Sequence, residues 1–179
     1  MKKGNSKRLA SAVLALSVML VAMFALPARV AADSMDEQWQ ADHVLVIKSE
    51  RKLHLLRNGI VLRSFEISLG KNPVGPKTRE GDLRTPEGDY FIDWRNPNSD
   101  YYMSMHISYP GPEDIGRAHR QGVNPGSMIM IHGLPNDSEP TRRDYLDEDW
   151  TDGCIAVSNQ AMIDIWLSVA DHTPITIRP

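Results

Sequence analysis

Apolar residues recur along most of this chain in short runs or at alternate positions, the pattern of strands rather than helices. Val44 to Ile47 is one run and Leu53 to Leu56 the next, divided by the charged Ser49 to Lys52. Asn58-Gly59 then stands between two hydrophobic runs, the strongest short-range hairpin signal. Ile60 to Leu69 follows, with Phe65, Ile67 and Leu69 on one face and Ser64, Glu66 and Ser68 on the other. Gly70 to Gly88 is dense in proline and glycine, which excludes a helix and predicts a long ordered loop. Asp89 to Trp94 and Tyr102 to Tyr109 read as strands, the second with Met103, Met105 and Ile107 opposite Ser104, His106 and Ser108. Met128 to Ile131, Ile155 to Val157 and Thr173 to Ile177 complete the strands. One helix is predicted after Ser158 or Asn159 as N-cap, because Met162, Ile163, Ile165, Trp166 and Val169 recur at helical spacing. A short helical turn is expected around Asp114 to Arg120. The fold class is mainly β, with one packed helix.

The N-terminus departs from this pattern. Lys2, Lys3, Lys7 and Arg8 precede an apolar run from Leu9 to Leu26, and Val30-Ala31-Ala32 supplies small residues suited to a signal peptidase. Residues 1–32 thus read as a signal peptide cut after Ala32, or as an N-terminal anchor retained in the membrane, since the run reaches the lower length limit for a span. Either fate places the rest outside the cytoplasm, in the periplasm or cell envelope. Residues 33–41 form a polar lead-in and 42–179 a single domain, with no repeat or second-domain linker. Residues 1–32 hold five of the 20 Lys and Arg and none of the 23 Asp and Glu. The remainder carries 15 cationic against 23 anionic residues, a net charge of −8, which suits neither nucleic acid nor anionic lipid.

The single cysteine, Cys154, follows Gly153 at the start of a predicted strand. A lone thiol forms no internal disulfide and is exposed to oxidation outside the cytoplasm, so it is either a small buried apolar side chain or a nucleophile. Gly153 admits a carbonyl close to the backbone, and N–H groups at Gly153 and Cys154 are positioned in sequence for an oxyanion hole. Asp147, Glu148, Asp149 and Asp152 precede the thiol and would raise its pKa, so a basic partner is required. His132 ends an apolar strand, with Gly133 behind it to hold the imidazole in place. It is a general base for Cys154, or a satisfied core histidine if the thiol is inert.

In order, Ile131-His132-Gly133, Thr151-Asp152-Gly153-Cys154-Ile155 and Ser158-Asn159, with Ser68-Leu69-Gly70, Gly81-Asp82 and Thr85-Pro86-Glu87-Gly88 upstream, resemble the L,D-transpeptidase catalytic domain, the YkuD-like family. The likeness extends from about Asp42 to Arg178. It implies a β-sandwich with one helix after the cysteine strand, a Cys–His site beneath loops, and work on peptidoglycan without cofactor or metal. By that resemblance Cys154 attacks the tetrapeptide stem and expels D-alanine, and His132 acts as base and then acid. An amine of a second stem, or of a wall-attached protein, resolves the thioester. Cell-wall organisation, cell shape and acylation by carbapenems are further implications. Some relatives hydrolyse stems or wall-linked proteins instead, so hydrolysis is the alternative.

Three departures mark a subgroup: Asp152 stands where the family has histidine, Ala156 where many members have Arg or Asn, and the segment between His132 and Cys154 is longer than usual. Substrate contacts are expected from Asp152, Thr151, Thr85, Arg142 and His106. For Asp152 a turn cap competes with binding of a stem amine. For Arg142, beside Arg143, a solvated charge pair competes, and for His106 a surface role. Trp94, Tyr101 and Tyr102 read as core or rim. Two other classes compete with catalysis. One is a zinc site built on His132, Cys154 and a carboxylate, which lacks paired ligand spacing. The other is a wall-binding module with an inert cysteine.

Overall fold

Asn58 and Gly59 both adopt positive φ (51° and 76°), the backbone that a two-residue hairpin turn requires. They join strands β2 (Lys52–Arg57) and β3 (Ile60–Glu66), and β2 pairs in turn with β1 (His43–Ile47). The computed structural model describes residues 39–137 and 144–179. The predicted signal segment, most of the lead-in and Arg142 lie outside the described residues.

The remaining elements are β4 (Gly88–Ser99), β5 (Tyr102–Ile107), α1 (Pro112–Gln121), β6 (Met130–His132), the single turn α2 (Asp144–Asp147), β7 (Ile155–Ala156), α3 (Asn159–Ser168) and β8 (Pro174–Arg178). The eight strands form one sheet in the order β3-β2-β1-β8-β4-β5-β6-β7. Strand β4 is 12 residues long and carries both halves: its start pairs with β8 and its remainder with β5, with a register shift between Ile92 and Trp94. Its two edges then meet. Ser68, just past β3, exchanges backbone hydrogen bonds with Ala156 of β7, each 2.9 Å. That closure sets Gly70 beside Thr151 and brings the long Pro/Gly loop against the cysteine strand.

Alternation explains which faces fill the interior. Val44 and Val46, Leu53 and Leu55, Met105 and Ile107, and Ile175 and Ile177 are fully buried or nearly so. From α3 the core receives Ala161, Met162 and Ile165, while Leu167 on the far side is exposed. Ser158 is the cap, its hydroxyl accepting the Ala161 N–H at 3.1 Å. The helix predicted from Ser158 is thus present.

Two expectations change. Beyond the one predicted helix, the short turn at Asp114 to Arg120 is a ten-residue helix, α1. Its sequence carries few apolar residues, so periodicity understates it; what fixes its start is Pro112 and the Asp114 carboxylate, which accepts the Gly111 N–H at 3.0 Å. The second change is at residues 60–69. The strand ends at Glu66, and Ile67, Ser68 and Leu69 are all buried, because at this point the chain leaves the exposed edge and crosses to β7.

Candidate active site

His132 is the last residue of β6 and Cys154 immediately precedes β7, and these two short strands run parallel with Ile131 opposite Ile155. Residues 22 apart in sequence therefore open onto one cleft of about 560 Å³. Its wall also includes Trp94, Tyr101, Met128, Trp150, Thr151 and Asp152.

His132 is 5% exposed. Its Nδ1 lies 2.7 Å from the Gly133 carbonyl oxygen. A carbonyl only accepts, so Nδ1 carries the proton and Nε2 is left with its lone pair. Tyr101 and Trp150 flank the imidazole at ring-centre distances of 4.7 and 5.7 Å. Burial holds the His132 pKa below the usual range, with the Gly133 hydrogen bond opposing that shift.

Gly133 serves by closeness. A Cβ there would lie 2.7 Å from Asn159 Oδ1 and 2.8 Å from Tyr102 Cβ. Its N–H donates to the Tyr101 carbonyl at 3.0 Å, and Asn136 closes the same corner by accepting the Tyr102 N–H (2.8 Å) and donating to the Ser99 carbonyl (2.9 Å). The tip of the β4–β5 hairpin is thereby fixed over the histidine.

Cys154 is partly exposed. Its thiol faces the Met128 carbonyl at 3.7 Å. Burial pushes the thiol pKa up and Asp152 adds to that, while the Met130 backbone N–H and the Lys77 ammonium pull it down. Burial thus favours the neutral form of both members of the pair. Gly153 was expected to offer its N–H to a substrate oxygen, but that N–H donates to Thr151 Oγ1 at 3.1 Å. Glycine is needed for another reason: φ is +135°, and a Cβ would lie 2.7 Å from the Arg84 carbonyl oxygen.

The expected substrate contacts separate into groups. Asp152 is on the cleft wall, its side chain 78% exposed and paired with Lys71 at 3.0 Å. Thr151 borders the cleft too, but its hydroxyl donates to the Cys154 carbonyl at 2.8 Å and accepts the Gly153 N–H, so it holds the turn that carries Cys154. Thr85 is fully buried and accepts the Gly70 N–H at 3.1 Å; its part is structural, not substrate contact. His106 is neither on the surface nor on the cleft wall. It is buried behind Trp94, stacked on that ring at 4.8 Å, and its Nδ1 meets Asp93 at 2.6 Å. Arg142 lies outside the described residues. For the zinc alternative, the described residues contain no group of three or more His, Cys, Asp or Glu placed to hold a metal ion.

The sequence reading did not find the frame around the pair. Asp149 anchors the segment before Cys154, accepting from Arg51 Nε (3.0 Å) and Nη2 (2.6 Å) and from the Leu69 N–H (2.9 Å). The Tyr145 carbonyl accepts from Ser68 Oγ (2.6 Å) and Trp150 Nε1 (2.8 Å). Trp150, next to the Thr-Asp-Gly-Cys run, was the available signal. A second cleft of about 320 Å³ also reaches Cys154, from the side of Lys77, Glu80 and Gly126. Exposed Met128, with φ 60°, and Asp152 border both clefts.

Residues 41–177 match the family model for the L,D-transpeptidase catalytic domain, YkuD. The L,D-transpeptidase homologue YafK of Escherichia coli (strain K12) is 33% identical over 131 residues, 69% of this chain and 45% of that protein. Among solved structures, the helical cell shape determining protein Pgp2 of Campylobacter jejuni (K307A mutant) is 30% identical with a TM-score of 0.57, over 75% of this chain and 46% of that one. Bd1075 of Bdellovibrio bacteriovorus is 28% identical with a TM-score of 0.53 and the same coverages. The chain thus spans under half the length of these relatives. By the match over 41–177, the ordered His-Gly and Gly-Cys elements and the fold, the chain belongs to the YkuD family of L,D-transpeptidase catalytic domains.

Proposed function

We propose that this chain is an exported cysteine acyltransferase that acts on peptidoglycan stem peptides in the cell envelope. The observation that carries the reading is the His132 Nδ1–H to Gly133 hydrogen bond, which leaves a basic Nε2 in the cleft that Cys154 also lines. Export is supported by the basic start and apolar run of residues 1–32. A role in shaping the wall is supported by the likeness to a cell shape determining protein.

Both groups begin neutral, so the reaction starts as general-base catalysis rather than from a preformed thiolate–imidazolium pair. His132 Nε2 takes the Cys154 proton as sulfur attacks the stem carbonyl. The Cys154 backbone N–H is the donor for the resulting oxyanion, since the Gly153 N–H is committed to Thr151. Nε2 then returns the proton to the departing nitrogen, the C–N bond breaks, and D-alanine leaves a thioester on the enzyme. An incoming amine loses its proton to Nε2 and attacks that thioester. The C–S bond breaks, and the proton returns to sulfur.

Incubation with a disaccharide-tetrapeptide tests this. The expected products are free D-alanine and a cross-linked dimer, both absent with Cys154→Ala. Free tripeptide without dimer would assign hydrolysis in place of transfer. No change in the muropeptide, from folded protein, would contradict the reading and leave a wall-binding module.

A further inference from the structure

Among the described residues two lysines are buried, Lys48 and Lys77, and they are not equally satisfied. Lys48 Nζ donates to the Gly75 carbonyl (2.8 Å), the Thr85 carbonyl (3.0 Å) and Glu87 Oε1 (2.8 Å). Its three N–H groups are matched by three acceptors. Lys77, 3% exposed, has one acceptor among the described residues, Asp82 Oδ1 at 2.8 Å. The rest of that ammonium is left for the cleft that Lys77 lines, to be matched by solvent or by an acceptor on a ligand.

Lys77 lines the smaller cleft, and Cys154 opens onto the same space. Several contacts fix the ammonium there. Asp82, whose side chain is 7% exposed, also accepts the backbone N–H groups of Thr78 (2.7 Å), Arg79 (3.2 Å) and Arg84 (3.1 Å). Burial alone would raise the Asp82 pKa, but Lys77 and these N–H groups outweigh it and hold it at about 2. From behind, Arg117 of α1 donates to the Lys77 carbonyl at 3.3 Å. The rim is otherwise anionic. Glu80 Oε2 accepts from Asn124 Nδ2 at 2.7 Å, and Asp152 pairs with Lys71. A diffuse anion is repelled by that rim, whereas a carboxylate seated on Lys77 itself receives two charge-assisted hydrogen bonds.

His132 lines the large cleft and not the small one. Cys154 is where the two clefts adjoin, so a stem that meets the thiol from the large cleft has the small cleft ahead of its scissile bond. We propose that Lys77 is a specificity-determining residue that holds the free C-terminal carboxylate of the departing residue. This rests on the acyl-transfer reading above. It confines cleavage to the last peptide bond of a stem, because a longer or blocked terminus carries no carboxylate on the departing residue.

The test compares a tetrapeptide stem ending in a carboxylate with the same stem ending in a carboxamide. The wild-type protein should favour the free acid in kcat/KM by about tenfold to a hundredfold, the usual range for losing a hydrogen bond to a charged group. Lys77→Gln should bring the ratio close to one by lowering turnover of the acid well beyond the loss both stems share through the effect of Lys77 on the thiol, and Lys77→Arg should restore most of it. An equal loss on both stems, or an unchanged ratio, would overturn the assignment. Calorimetric binding of the two stems to Cys154→Ala protein, with and without Lys77→Gln, separates the assignment from the reaction. Acid-selective binding that Lys77→Gln abolishes, in a protein whose wild-type form turns over neither stem, would uphold the carboxylate site and overturn acyl transfer. Equal binding of acid and amide would overturn the site.

Discussion

At Cys154 and His132 burial acts on both members of a pair, and for each it favours the uncharged form. The thiol is held above the ordinary cysteine range and the imidazole below the ordinary histidine range. The signs set the pH behaviour. Alkylation of Cys154 in the free protein should still be rising where an ordinary cysteine, with a pKa near 8.5, has levelled off. Asp152 is one of the groups that raises the thiol pKa, so Asp152→Asn should move the rise to lower pH. Because His132 stays neutral below an ordinary histidine pKa of about 6.5, the acid limb of turnover should lie below that value. His132→Ala should slow acylation by about a hundred- to ten-thousandfold. Rapid alkylation, flat from pH 6 to 8, would instead indicate a standing thiolate and contradict a neutral pair.

Short strands β6 and β7 deliver the pair, but the segment between them sets its geometry. Arg51, in the turn between β1 and β2, holds Asp149, and Asp149 also takes the Leu69 N–H, so a turn at one end of the fold restrains the loop that carries Trp150 to Cys154. Arg51→Gln should lower kcat with little change in KM, and Asp149→Asn should do the same. The double variant should be no worse than Asp149→Asn alone, which already breaks the contact that Arg51→Gln removes; additive losses would show that the two residues act separately. Family membership was legible in sequence because its marks reside in ordered local runs, His132-Gly133 and Gly153-Cys154. The strands with clear alternation were legible as well, and so was α3, with its apolar face and Ser158 cap. Contacts such as Arg51 with Asp149 join residues 98 apart, and no local pattern announces them. Thr85 and His106 were misjudged as substrate contacts for a related reason. A polar residue on a strand or turn looks the same in sequence whether it faces a groove, satisfies a buried backbone N–H as Thr85 does, or pairs with a carboxylate as His106 does.

Across the whole domain, the sheet closes when Ser68 bonds to Ala156, and Cys154 opens onto two clefts. The larger cleft holds His132 and the aromatic residues; the smaller holds Lys77 and the anionic rim. A thiol between two openings can receive an acyl group from one direction and release the departing residue toward the other, which suits the proposed acyl transfer. The central claim is that Cys154 becomes acylated with His132 as its base. Intact-mass spectrometry of residues 33–179, after brief exposure to a carbapenem or to a tetrapeptide stem, tests it most directly. The account predicts one covalent acyl adduct on Cys154, absent in Cys154→Ala and formed at least a hundredfold more slowly in His132→Ala. No adduct on folded protein with either reagent, or an equal rate in His132→Ala, would contradict it.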